Sequence, residues 1–99
     1  MIQVKIHQSY RTVVSVCDSD LIGKKFLEGK RQLDLRENFY KDKEMTEEEA
    51  INALIFQSNE DATFNIVGEK SVNAAIKAGI INEEGIDTVD NIPFALVLV

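Results

Sequence analysis

The apolar residues of this chain change period part-way along it, and that change restricts the fold to mixed α and β structure. Ile2, Val4 and Ile6 alternate with Gln3, Lys5 and His7, the pattern of a half-buried strand. A polar break at residues 8–11 separates them from Val14 and Val16, which keep the matching phase within residues 12–17. The two segments are expected to pair as an antiparallel hairpin. After Thr46 the period becomes helical. Thr46 and Glu49 form a capping box, and Ile51, Leu54 and Ile55 follow at helical spacing. A helix is predicted from residue 47 to about 57.

The other segments follow the same rules. Leu33 and Leu35 alternate with charged neighbours, which predicts a third strand around residues 32–36. Residues 63–67 read as a strand. Gly68 opens a second helix with Val72, Ala75 and Ile76 on one face, and Gly79 supplies its left-handed stop, with Ile80 packing back. Pro93 introduces a final strand, Phe94 to Val99, that is apolar throughout. Such a run is covered on both faces, or packs its end against a partner. The expected fold is α+β: a two-layer sandwich of about five mostly antiparallel strands with two helices on one face. With 99 residues the chain reads as a single domain.

Composition narrows the setting. Cys17 is the sole cysteine, so no intramolecular disulfide can form, which fits a reducing compartment. No apolar run approaches the roughly 18 residues of a membrane span. The first residues lack the basic flank and apolar stretch of a signal peptide, and a cytoplasmic location is expected. Net charge is −6, but residues 24–43 hold seven basic residues (Lys24, Lys25, Lys30, Arg31, Arg36, Lys41, Lys43) against four acidic ones. A locally positive segment within an acidic chain points to an anionic partner bound at one place.

The sequence pattern offers no catalytic arrangement. Cys17 and His7 fall near opposite ends of the first two strands, about 13 Å apart at strand rise, too far for a nucleophile–base pair. One His and one Cys do not supply a zinc ligand set. Asp18 and Asp20 read as turn and capping carboxylates, and Glu47–Glu49 as a helix first turn. Gly23-Lys24 lacks the upstream glycine and following Ser or Thr of a phosphate loop. Gly68, Lys70 and Ser71 at a helix start could hold a phosphate, although Glu69 opposes an anion there and packing is the better account of Gly68. No cofactor or metal is expected.

Several short motifs carry a family resemblance: Val16-Cys17-Asp18, Leu21-Ile22-Gly23-Lys24, Glu28-Gly29, Phe39-Tyr40, Asn65-Ile66-Val67-Gly68-Glu69 and Ile92-Pro93-Phe94-Ala95. In order and spacing the chain resembles a small archaeal family catalogued as domain of unknown function 424. The resemblance implies an α+β two-layer fold and carries no reaction, cofactor or partner. Lys41-Asp42 and Phe94 depart from the family pattern. The motifs make Asp18, Gly23 and Glu28 the first candidate surface, and Asn65, Gly68 and Glu69 the second.

Three functions follow as expectations. The first is a non-enzymatic module binding RNA or an RNA–protein assembly, as in translation, through Lys24, Lys25, Lys30, Arg31, Arg36 and Tyr40. The second is a protein-interaction subunit or homodimer pairing through Phe94 to Val99. The third is a small enzyme or ligand-binding domain using Asp18, Lys24 and Glu69. Lys24 and Lys25 are expected to face solvent while Leu21, Ile22 and Phe26 pack inward, with Asp18 capping its own short turn.

Overall fold

The computed structural model of the protein describes residues 1–98. Strands β1 (Ile2–His7) and β2 (Val13–Asp18) form the antiparallel hairpin, with Ile2 opposite Asp18 and His7 opposite Val13. A 3-10 turn, Ser19–Leu21, leads into a second hairpin of β3 (Lys25–Glu28) and β4 (Arg31–Asp34), which is a sheet of its own. Then come the one-turn helix α1 (Glu37–Tyr40), β5 (Lys43–Met45), α2 (Glu47–Asn59), β6 (Thr63–Val67) and α3 (Glu69–Lys77). A second 3-10 turn, Glu83–Gly85, precedes β7 (Asp87–Val89) and β8 (Ile92–Val97). The main sheet runs β5-β1-β2-β6-β8-β7.

The fold is α+β, with more strands than the period count suggested. The main sheet has six described strands instead of about five, and the two-stranded hairpin lies outside it. It is also mixed: β2 and β6 run parallel, because the connection between them carries α2 and crosses over the sheet. The strand expected at 32–36 is the return arm of the hairpin, whose turn contains Gly29 at φ 62°. β3 shows no alternation in the sequence because only Phe26, opposite Leu33, is turned inward from it. β5 and β7 have three residues each, too few to show a period.

Both faces of the sheet are used. On one face Ile2, Val4, Val14, Val16, Phe64 and Ile66 meet Ala50 and Leu54 of α2 and Val72, Ala74 and Ala75 of α3. Two helices on this face are as the sequence predicted. On the other face Cys17, Leu35 and Val67 are buried beneath Phe26 and Leu33 of the hairpin and Tyr40 of α1. The molecule is therefore a two-layer sandwich with a partial third layer. β2 lies between the two cores, and Val14 through Asp18 are all buried.

Local signals fix the helix ends. Thr46 Oγ1 accepts the Glu49 N–H at 3.2 Å and Glu49 Oε1 accepts the Thr46 N–H at 2.9 Å, closing the capping box. α3 ends in a Schellman motif: Gly79, at φ 79°, donates to the Ile76 carbonyl and Ile80 to that of Ala75. Pro93 lies inside β8, not before it. Gly68, opposite it, donates to the Pro93 carbonyl, while the Gly68 carbonyl accepts from Val72 and starts α3. The proline's missing N–H thus leaves no orphan acceptor. No helix among the described residues is long and apolar enough to cross a membrane.

Candidate functional site

Asp18 ends β2 on the helix-bearing face and is 5% exposed. Its carboxylate does not cap the Ser19–Leu21 turn, as expected from sequence; that turn has no side-chain cap. It reaches α3 instead. Oδ2 accepts the Lys70 N–H at 3.1 Å, and Oδ1 accepts the Ser71 N–H at 2.8 Å and the Ser71 hydroxyl at 2.7 Å. Gly68 sits against this carboxylate, and a Cβ built on it would overlap the carboxyl carbon. The helix start that could have cradled a phosphate is thus already filled by the protein's own anion.

The positive segment becomes the β3–β4 hairpin and its flanks. Gly23, at φ 83°, turns the chain so that its N–H donates to the Leu35 carbonyl at 2.7 Å, and Leu35 returns a bond to the Lys24 carbonyl at 2.9 Å. Lys24 and Lys25 are exposed, while Leu21, Ile22 and Phe26 are half-buried against the second core. Lys30 is exposed at the far turn. None of these three lysines makes an ion pair or side-chain hydrogen bond among the described residues. Glu28, in the same hairpin, accepts the Asp90 N–H at 2.7 Å and ties the tip to the β7–β8 turn.

The two arginines are engaged otherwise. Arg31 bonds Asp87 at 2.7 Å and stands 5.6 Å over the Phe94 ring. Its hydrogen bond, joined by the Thr88 N–H, holds the Asp87 carboxyl below the usual carboxylate range. Arg36 bonds Asp34 at 2.9 Å. Tyr40 is half-buried rather than open to stack on a base, and packs edge-on to Phe39. Burial, then the neighbouring Cys17 and Asp34, push its phenol up to about 12.

The other candidates separate. Cys17 is buried, and burial reinforced by Asp18 and Asp20 pushes its thiol up to about 12. Cys17 lies opposite Gln3 and His7 opposite Val13, at opposite ends of the ladder. His7 is half-buried: it stacks on Phe39 at 4.4 Å, with Nε2 2.9 Å from the Phe39 carbonyl. That carbonyl also accepts the Ser15 hydroxyl at 2.7 Å, and Lys5 Nζ donates to the Asn38 carbonyl at 2.6 Å. Ser15, 3.4 Å from His7 Nε2, therefore spends its proton on holding α1 to the sheet rather than on nucleophilic chemistry. Asn65 is half-buried on this same face, and Glu69 is exposed in the first turn of α3. No ion pair or hydrogen bond links Asp18, Lys24 and Glu69 to one another. No cluster of three or more His, Cys, Asp or Glu side chains suited to a metal occurs among the described residues.

Ser71 was legible as a phosphate-assisting residue but not as the partner of Asp18, and Ser15 was not legible as a site residue. A serine at the third position of a helix that begins with glycine was the available signal for Ser71. Ser15 had none, because one polar residue on the outward phase of a strand is ordinary.

An uncharacterised conserved protein from the archaeon Methanopyrus kandleri has the same fold, with a TM-score of 0.89 at 24% identity over 97% of this chain and 89% of that one. No curated protein matches the chain. The family model for a protein of unknown function, DUF424, matches residues 6–99. On that match, and on the fold the two proteins share, the chain belongs to the DUF424 family.

Proposed function

We propose that the protein is a non-enzymatic module that binds RNA, alone or within an RNA–protein assembly, through the β3–β4 hairpin. The observation that carries this reading is the free state of Lys24, Lys25 and Lys30 on a hairpin braced at both ends. In a chain of net charge −6, unpaired cations on one braced projection favour phosphate contacts there. Arg31 acts mainly as a brace, since Asp87 and Phe94 hold it. Arg36 adds a cation beside its root, and Tyr40 anchors α1 to the second core.

A mobility-shift titration against structured and single-stranded RNA tests this. Three phosphate contacts predict a log–log salt slope of about −2 to −3. Replacing Lys24, Lys25 and Lys30 with alanine should abolish most of that slope with little loss of stability. Absence of binding at low salt, or a slope the triple variant leaves unchanged, rejects the reading.

A second reading, strand pairing through β8, has its own observation. β7 pairs with β8 only as far as Phe94 opposite Asp87. Because Pro93 bonds toward Gly68, alternation turns the backbone groups of Phe94, Leu96 and Leu98 away from β6. Leu96 is 57% and Leu98 81% exposed along that edge, with no charge to discourage pairing. Val99 lies outside the described residues. Light scattering after size exclusion should then report a dimer that Leu96→Lys converts to monomer; a monomeric wild type removes this reading.

A further inference from the structure

A concave site lies between α3 and β7, a cavity of about 420 Å³. Val72, Ile76 and Ile86 supply aliphatic side chains to its lining, and Glu69 and Glu83, both exposed, supply carboxylates. The volume is that of a small-ligand pocket, an apolar surface with a few polar groups. Lys, Arg and His are absent from its lining; of the two cations of α3, Lys77 is held by Glu47 at 2.7 Å and Lys70 is exposed outside the lining. Neither Glu69 nor Glu83 makes a side-chain hydrogen bond or ion pair among the described residues.

Chain direction sets Glu69 and Glu83 toward opposite ends of the trough. Glu69 is in the first turn of α3, beside Asn91 of the β7–β8 turn. Ile76 is seven residues further along the helix, about 10 Å at helical rise. β7 runs antiparallel to β8 with Val89 opposite Ile92 and Asp87 opposite Phe94, so Ile86 and Glu83, which precede β7, lie on the side away from the β7–β8 turn. Anionic ends with a hydrocarbon floor between them complement a ligand with cationic ends and a methylene middle. An anionic ligand is opposed by both carboxylates, and Asp18 already takes the N-terminal N–H groups of α3.

We infer that the trough between α3 and β7 binds a linear aliphatic polyamine, its terminal ammonium groups at Glu69 and Glu83 and its methylenes on Val72, Ile76 and Ile86. The site is separate from the hairpin lysines and does not depend on RNA binding there. It is tested by titrating spermidine and cadaverine into the isotope-labelled chain, with 1,5-pentanediol as the uncharged control. Saturable one-to-one binding is expected, with amide shifts concentrated at Glu69, Val72, Ile76 and Ile86 and none from pentanediol. The Glu69→Gln/Glu83→Gln variant should weaken it roughly tenfold, the scale of two exposed charge contacts. Asn73→Lys, which puts a cation in the lining, should abolish it, while Lys24→Ala/Lys25→Ala should leave it unchanged. Three outcomes overturn the inference: unsaturable shifts spread over other carboxylates such as Glu47–Glu49, wild-type affinity in the double glutamine variant, or saturation of the trough by a trilysine peptide but not by spermidine.

Discussion

Asp18 Oδ1 takes both the backbone N–H and the hydroxyl of Ser71, a residue 53 positions later in the chain. This one atom joins the end of β2 to the first turn of α3, and the second carboxylate oxygen adds the Lys70 N–H. Asp18→Ala would strand buried donors that have no other partner. A loss of about 2–3 kcal/mol is expected in urea denaturation. Asp18→Asn keeps one acceptor oxygen and should lose less. A change below about 0.5 kcal/mol for the alanine variant would show that water replaces the carboxylate without cost.

Gly68 is bound to the same carboxylate by space rather than by hydrogen bonds. Its φ of 108° disfavours any side chain, and an added Cβ would meet Asp18 directly. Gly68→Ala is expected to cost more than about 2 kcal/mol, from backbone strain and the clash together. In an Asp18→Ala background the clash is gone and only strain remains. The double-mutant cycle should therefore show coupling of at least about 1 kcal/mol. Strict additivity would mean that the carboxylate swings aside freely.

Stability should decline in alkali. The thiol of Cys17 and the phenol of Tyr40 both rise to about 12, from ordinary values of 9.0 and 10.0. Each group holds its proton more tightly folded than unfolded. The stability this gives is whole below about pH 9 and is lost as pH climbs toward 12. Melting temperatures measured from pH 8 to 11 should fall, and Cys17→Ala should flatten part of that fall. In keeping with the same burial, a thiol reagent at pH 8 should modify Cys17 slowly in the native protein and quickly in urea. Fast native modification would contradict the buried, protonated thiol.

The capping box of α2 predicts a smaller, local effect. Thr46→Ala removes the acceptor for the Glu49 N–H at an exposed helix end, and about 1 kcal/mol of stability should go with it. Thr46→Ser should restore most of the loss. Hydrogen exchange in the first turn of α2 would rise in the alanine variant, and an unchanged first turn would mean that Glu49 alone holds it.

The signals legible in the sequence were those that act within a few residues. Alternation in β1 and β2, the box at Thr46, the glycine stop of α3 and the apolar face of that helix all arise from neighbours, so their physics is visible in order and spacing. The pairing of β1 with β2 also follows from proximity. Tertiary structure decided what distant segments do to one another. Asp18 looked like a local cap, yet its partners lie beyond β6, because the parallel pairing of β2 with β6 brings the end of one strand to the start of α3. The basic segment looked uniform, but folding splits it into Arg31 and Arg36, held by Asp87 and Asp34, and five lysines left to solvent, of which Lys24, Lys25 and Lys30 lie on or beside the hairpin. The trough beside α3 joins residues 69–76 to 83–93 only once β7 lies beside β8. Short-range capping and periodicity are encoded by neighbouring residues; ion pairing and concavity belong to packing, and no spacing along the chain announces them.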